Sequence, residues 1–483
     1  MAAMLIERFE VPGLAHYSYA IGCTKAGAIM VVDPERNIKG YLKFAAEQKV
    51  QITHILETHI HADFASGAKA LSEATGAELL LSAYDQDEQF EVSFEHTPIE
   101  DGFELTIGPV RLVAMHTPGH TPEHMSYLLY DRDRSDQVPM IILSGDFLFV
   151  GSLGRPDLLG QEATKGLAKA LYRSVQRART ELPDGLEINP GHGAGSSCGA
   201  GLGGRPVSTL GFERIANPYL DPNLTEELFV EKLLAALPPA PPYYPRMKAL
   251  NAAGPAILKE LPGTALLSVD QVSSLADQGA TILDIRDQHA FAQGHIPGAL
   301  SVGQGGGFVT WAPWVVPYDK PIVLVTDGRL DTTSLRENLV RVGLDDVRGS
   351  LDGGMSAWQA ADRPVDCNQI IDAQALYDQI ESAKAPQVLD VRTDAEYEQG
   401  HIQDAQSISL QTLAQRLDEM PSTDTPLVVT CGGGYRSAIA ISLLMQCGHS
   451  QICDLAGGMN AWRIADLPVQ AGPPKMPTGM PAG

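Results

Sequence analysis

The sequence predicts an α/β protein of three domains, one large and two small. Three observations predict it. A chain of 483 residues is about three domains long at roughly 150 residues each. The C-terminal half carries a domain-sized duplication. The N-terminal half alternates strand-like with helix-like stretches and sets histidines and carboxylates just past the strands. A hydrophobic fraction of 44% supplies packed cores and argues against wholesale disorder.

In the first domain the β-rich stretches Ala28 to Val32, Val110 to Met115 and Met140 to Ser144 alternate with helical patterns over Gln161 to Thr180 and Thr225 to Leu237. Another apolar strand, Ile52 to Leu56, runs into Thr58-His59-Ile60-His61-Ala62-Asp63-Phe64. Further along come His120 in Thr117-Pro118-Gly119-His120-Thr121, Asp146 in Ser144-Gly145-Asp146, and His192 in Pro190-Gly191-His192-Gly193. One His-x-His is weak evidence of a metal. Four such segments, each beyond a strand, form a candidate metal constellation. His116 is expected in a strand-to-loop segment without a direct role. Pro238 to Pro245 reads as a stiff linker, which closes the first domain at 1–245.

The duplication follows. Leu283-Asp284-Ile285-Arg286 with Gly294-His295-Ile296 recurs 106 positions later as Leu389-Asp390-Val391-Arg392 with Gly400-His401-Ile402. Leu351 to Trp358 recurs 104 positions later as Leu455 to Trp462. A period of this size means tandem domains, 246–366 and 367–472, and not a solenoid. Each copy has a buried strand, Ile322 to Thr326 or Pro426 to Thr430, leading through a turn into a helical pattern. In the second copy the turn is Cys431-Gly432-Gly433-Gly434-Tyr435-Arg436, ahead of a helix from Ser437 to Met445. Amide groups of such a loop and the helix N-terminus favour a thiolate or a bound anion, and Arg436 adds a cation. With the 104 offset, Asp327 stands for Cys431 and Thr332 for Arg436, so the first copy is expected to be inactive and to pack or position its neighbours. Residues 473–483, rich in Pro and Gly, read as a flexible tail.

Composition excludes several classes. A net charge of −24 disfavours nucleic acid and anionic membrane as partners, and no apolar run reaches the roughly 18 residues of a membrane span. Glu7 and Arg8 stand where a signal peptide would be apolar. Six cysteines without a Cys-x-x-Cys pair are no disulfide framework, which leaves a cytoplasmic, reducing setting as the expectation. Neither Gly-rich run completes a nucleotide-binding signature.

The first domain resembles the metallo-β-lactamase fold, an αββα sandwich whose pattern runs His-x-His-x-Asp-His, Gly-His-Thr, then an Asp and a late His. Phe64 departs from it, replacing the third histidine, which makes a complete dinuclear site doubtful. Thr-His-x-His-Ala-Asp and Gly154-Arg155-Pro156-Asp157 are similar to the persulfide dioxygenase branch. That resemblance implies one Fe(II) per domain held by His59, His120 and Asp146, a set suited to non-haem iron. His61, Asp63 and His192 would orient ligands or water, His192 with the alternative of a mere hydrogen bond nearby. Arg155 would grip the anionic end of a thiol substrate or pair with Asp157. Cys198, in a glycine-rich run, would approach the iron-site mouth and relay sulfur.

The duplicated domains resemble rhodanese-homology domains, which implies a Cys431 persulfide. The full order is similar to the fused persulfide dioxygenase–sulfurtransferases of bacterial sulfide detoxification. It implies a low-molecular-weight thiol persulfide (glutathione, coenzyme A or bacillithiol type), O2, and sulfite or thiosulfate as reaction partners, with homo-oligomerisation as a family expectation. The alternatives are a glyoxalase II-like thioester hydrolase and a non-enzymatic sulfur carrier or sensor.

Overall fold

The computed structural model describes residues 4–328, 331–382 and 385–473. The chain divides into two compact units. The first runs through Lys259 and includes Glu337–Leu344; the second takes in Glu260–Arg336 and the residues from Asp345 onward. Residues 474–483 of the expected tail lie outside the described residues.

Two six-stranded sheets face each other in the first unit. One is ordered Met4–Val11, His16–Cys23, Ala28–Val32, Gln51–Leu56, Glu78–Ser82 and Thr97–Ile99. The other is ordered Ser208–Thr209, Glu187–Pro190, Ile141–Gly145, Met125–Asp131, Val110–His116 and Glu104–Ile107. Strand alternation sends Tyr19, Ile21, Met30 and Val32 to a core shared with Leu112, Ala114, Tyr127 and Leu129. The intervening Ala20, Ile29 and Val31 face the helices Lys39–Gln48 and Ala68–Thr75. On the far side, Gln161–Glu181 turns Leu167, Leu171, Val175 and Ala178 onto the second sheet, one apolar stripe at helical spacing. The result is the αββα sandwich. Central strands covered on both faces read as continuous apolar runs, which is why Ala28 to Val32 is legible as a strand.

The boundary expected at 245 is wrong. The prolines at 241 and 242 do not lead away from the domain. They lead into a helix, Tyr244–Ala253, whose Tyr244, Met247, Lys248 and Asn251 are buried in the first unit. Pro245 sits in the first turn of that helix, where its missing N–H costs nothing.

In the second unit both repeats build a five-stranded parallel sheet with the same strand permutation. Leu266–Leu267, Val347–Leu351, Ile322–Val325, Thr281–Asp284 and Leu300–Ser301 form one. Gln369–Ile371, Ile452–Leu455, Leu427–Thr430, Gln387–Asp390 and Gln406–Ser407 form the other. The shared motifs are scaffold. Arg286 clasps Asp284 and the Gly294 carbonyl, and Arg392 clasps Asp390 and the Gly400 carbonyl. Trp358 donates to Pro364 O and Trp462 to Pro468 O in matching geometry.

The register between the copies corrects the sequence alignment by one residue. Met459 N donates to Cys431 O, whereas Met355 N donates to Thr326 O. Val391 N bonds Thr430 O as Ile285 N bonds Val325 O. Thr326, not Asp327, is thus the counterpart of Cys431, and Asp331, not Thr332, that of Arg436. The slip arises because Val347–Leu351 carries an irregularity that its counterpart Ile452–Leu455 lacks, so no single offset serves the whole repeat. The first copy still has no thiol at this place.

Candidate functional site

Loops at the ends of four strands converge on His59, His120, Asp146 and His192, all fully buried. One ligand atom each from His59, His120 and Asp146 lies within 4.8 Å of the others. His59 Nε2 is 3.9 Å and His120 Nε2 3.4 Å from Asp146 Oδ2. These three atoms have no hydrogen-bond partner among the described residues. Buried polar atoms left alone are costly, about 1–3 kcal/mol each, so three pointing at one spot fit a cation there.

The opposite edge of each ring is committed. His120 Nδ1 donates to the Arg155 carbonyl at 2.8 Å, which leaves the Nε2 lone pair for a metal. His59 Nδ1 meets Thr58 Oγ1 at 2.9 Å, whose hydroxyl in turn donates to Asp33 Oδ2. Burial, then neighbouring imidazoles, hold both histidines well below the ordinary range and keep them neutral. Asp146 is cradled by glycine. A Cβ on Gly145, at φ +51°, would stand 2.7 Å from His124 Nε2, the atom that accepts the Asp146 N–H.

His192 bridges two carboxylates, Nδ1 to Asp146 Oδ1 and Nε2 to Asp63 Oδ2, each at 2.7 Å. Burial opposes its charge, but Asp146 and Asp63 outweigh burial and raise it well above the usual imidazole range. His61 Nε2 bonds Asp33 Oδ1 at 3.1 Å. Phe64 is completely buried and packs on His16 and His61, with ring centroids 4.0 and 4.4 Å away. His116 bonds the Pro122 carbonyl and stacks on Tyr84, away from the cluster.

Arg155 is not available to a substrate. Nε and Nη2 hold Asp157, Nη1 donates to Ser197 O and Nη2 also to Pro238 O, with no part of the side chain exposed. Its role is to pin the loop whose carbonyl orients His120. Cys198 is buried, with Sγ 3.7 Å from Tyr244 Oη, and groups with Asp63 and His192 within 4.8 Å. Burial first, then Asp63 and Asp146, push its thiol well up, so it stays protonated.

Several functional residues escape sequence reasoning. Asp33, at φ 54° beyond Ala28–Val32, receives Thr58 N, Thr58 Oγ1 and His61 Nε2 and so sets two imidazoles at once. Its signal was available: an acid just past a strand, like the other four segments. Lys248 and Asn251 had none, since they lie just past the supposed linker, in the stretch assigned to the next domain. Lys248 donates to Ile60 O at 2.8 Å while Glu123 accepts the Ile60 N–H at 2.9 Å, clamping the peptide between His59 and His61. Asn251 ties down the carbonyls of His61 and Phe64.

In the second repeat Cys431 ends the strand Leu427–Thr430, and its loop opens the helix Tyr435–Gln446. Gly434, at φ 104°, turns its N–H onto Cys431 Sγ at 3.1 Å. Arg436 is not the free cation expected from the motif. Both terminal nitrogens donate to Glu396, at 2.7 and 2.6 Å, and hydrogen bonds from Arg436 hold the Glu396 carboxyl at about 2. The register places Ala290 and Asp331 at these two positions in the first repeat, so the pair is lost together. Tyr435 Oη donates to the Gly303 carbonyl of the first repeat at 2.7 Å, so that copy anchors the loop.

Comparison with known proteins agrees with this division. The metallo-beta-lactamase superfamily matches residues 11–192, and the rhodanese-like domain family matches 268–361 and 372–465. A solved metallo-beta-lactamase from Staphylococcus aureus subsp. aureus COL is 34% identical with a TM-score of 0.64, over 73% of this chain and 99% of that one. The persulfide dioxygenase ETHE1 of Bos taurus is 27% identical over 48% of this chain and 80% of its own length. A probable metallo-hydrolase, YqgX of Bacillus subtilis, is 38% identical over 26% of this chain and 47% of its own. No described helix is long and apolar enough to cross a membrane.

Proposed function

Because the chain belongs to the metallo-beta-lactamase superfamily and carries two rhodanese-like domains behind that domain, we propose that it is an iron-dependent persulfide dioxygenase fused to a sulfurtransferase working through Cys431. The observation that carries the first half is the convergence of three unpartnered ligand atoms on His59, His120 and Asp146, beside a buried Phe64 where a further histidine would complete a second metal site. Persulfide dioxygenase homology to the bovine protein supports the same reading. Bound there, Fe(II) would supply O2 activation beside a thiol persulfide. The overall change is RSSH + O2 + H2O giving RSH, sulfite and two protons.

The chain's own groups prepare that centre. The Arg155 carbonyl and the Thr58–Asp33 relay fix which nitrogen of His120 and His59 points inward. His192 holds the second oxygen of Asp146 away from the cluster, so Asp146 offers one oxygen, Oδ2. Phe64 packs against the ring of His16 and puts an apolar surface on that side of the cluster. In the second unit Cys431 would take the sulfane sulfur of thiosulfate or a persulfide, and the Gly434 N–H would stabilise its sulfur as an anion. Covalent linkage of the two activities raises the effective concentration of a shared intermediate. The carrier thiol would be of glutathione, coenzyme A or bacillithiol type, in sulfide detoxification.

Anaerobic purification with metal analysis, followed by oxygen uptake on several persulfides, tests the proposal. We expect iron and persulfide-dependent uptake, both lost in His120→Ala, while Cys431→Ser keeps uptake and loses sulfur transfer from thiosulfate. Iron-loaded protein that consumes no oxygen with any persulfide refutes it. Zinc with thioester turnover would instead favour a hydrolase.

A further inference from the structure

The duplication supplies an internal control, because one copy lacks the thiol and shares the scaffold. Residues that differ together with Cys431 are the ones to inspect, and two of them lie behind it. Cys431 Sγ is 3.6 Å from Ser437 Oγ, and Ser437 Oγ is 3.0 Å from the Gly434 carbonyl. The Ser437 hydroxyl also interacts electrostatically with the carboxyl of Asp454, on the adjacent strand Ile452–Leu455. Asp454 is only 4% exposed, and its Oδ1 has no hydrogen-bond partner among the described residues. At the matching places the first repeat carries Thr326, Thr332 and Ser350: the hydroxyl is kept, but the thiol and the carboxyl are both gone. Strand pairing fixes the last equivalence, since Ser350 sits beside Leu324 in the central strand as Asp454 sits beside Val429.

We propose that Asp454 is the proton acceptor for Cys431, acting through the hydroxyl of Ser437. The inference rests on the sulfurtransferase reading of Cys431. In the step, the Cys431 S–H bond breaks and its proton passes to Ser437 Oγ, while the Ser437 proton passes to Asp454. The resulting thiolate attacks the outer sulfur of thiosulfate. The S–S bond of thiosulfate breaks, its electron pair leaves with sulfite, and Cys431 keeps a terminal sulfur as Cys–S–S⁻. The Ser437 hydroxyl donates to the Gly434 carbonyl in its resting orientation, and the relaying orientation turns it to the carboxyl of Asp454, whose Oδ1 has no partner among the described residues.

A buried acid without a cation is an expensive feature unless it changes protonation state in use. Burial, weakly opposed by the nearby Ser437 hydroxyl, raises the Asp454 carboxyl to about 7, which matches a proton acceptor at neutral pH. The titratable group beside it is Cys453, which burial and then Asp454 push up to about 12, while on the packed helix Tyr435–Gln446 the cation Arg436 is held by Glu396. The two flanking strands, Leu427–Thr430 and Gln369–Ile371, bring none. Asp454 touches no substrate; it is a positioning and relay residue.

The test uses the full chain, thiosulfate as donor and cyanide as acceptor, with thiocyanate formation followed from pH 5.5 to 9. We expect Asp454→Asn to lower kcat at least about tenfold and to abolish an acidic limb centred near 7, with KM for thiosulfate changed less than about threefold. Asp454→Ser, the residue the first repeat folds with, should do the same and guards against a folding artefact in the first variant. Ser437→Ala should match Asp454→Asn, the double variant should be no slower than either single one, and Ser437→Thr should recover most of the rate. Wild-type kcat with an intact acidic limb in both Asp454 variants overturns the relay, as does full additivity in the double variant. Thiocyanate formation that survives Cys431→Ser overturns the sulfurtransferase reading itself, which separates the two failures.

Discussion

Removing the carboxylate that holds Arg436 should cost stability in the second unit, and the cost should fade with acid. In Glu396→Gln the guanidinium keeps a neutral acceptor but loses its charge partner. Hydrogen bonds from Arg436 lower the Glu396 carboxyl from 4.5 to about 2. At 1.36 kcal/mol per pH unit that is about 3 kcal/mol at full value. The Glu396 side chain is 38% exposed, so solvent screening brings the expectation to about 1–2 kcal/mol. In a unit of this size that is roughly 2–8 °C of melting temperature. The sign follows from linkage. A carboxyl depressed in the folded state contributes fully above its unfolded value near 4.5 and loses that contribution as pH falls toward 2. Calorimetry of wild type and Glu396→Gln at pH 7, 5.5, 4 and 3.5 should show a gap that is constant down to about 5 and narrows below it. A gap absent at pH 7, or unchanged at 3.5, would refute the reasoning. The same variant releases Arg436 beside the Cys431 loop, so KM for thiosulfate should fall.

Two further predictions concern the metal unit. Lys248→Met leaves Glu123 buried without its cation and should destabilise the first unit by about 3–5 kcal/mol in urea titration, with loss of bound metal, whereas adding Glu123→Gln should restore much of the stability. Arg155→Lys removes the fork that grips Asp157, Ser197 and Pro238, so we expect about 1–3 kcal/mol of destabilisation and weaker iron retention at unchanged KM for the persulfide. A tenfold rise in KM with full iron content would return Arg155 to the substrate.

The candidate metal residues were legible because strand ends deliver loops to one edge of a sheet, and each of them follows its strand closely in sequence. Chemistry that depends on a partner far along the chain was not. The motif around Arg155 says nothing about Ser197 and Pro238, and Cys431-Gly-Gly-Gly-Tyr-Arg436 does not announce Glu396, forty residues earlier. In both cases the sequence offers a cation, and whether it is free depends on what the fold brings beside it. The proline run misled for a related reason. Proline stiffness marks linkers and first helical turns alike, and burial alone separates them.

By itself the sequence determined the three-domain order, the duplication, the four strand-end segments of the candidate metal site and the thiol missing from one repeat. These are short-range patterns, written in periodicity and in neighbours a few residues apart. Only the tertiary structure decided the rest. It committed Arg155 and Arg436, built the helix Tyr244–Ala253 into the wall behind the metal loop, and moved the Cys431 counterpart to Thr326. It also brought Asp454 behind Cys431. Each of these depends on packing between segments distant in the chain, where burial and the need to satisfy polar atoms fix the partners, and no local pattern records that outcome.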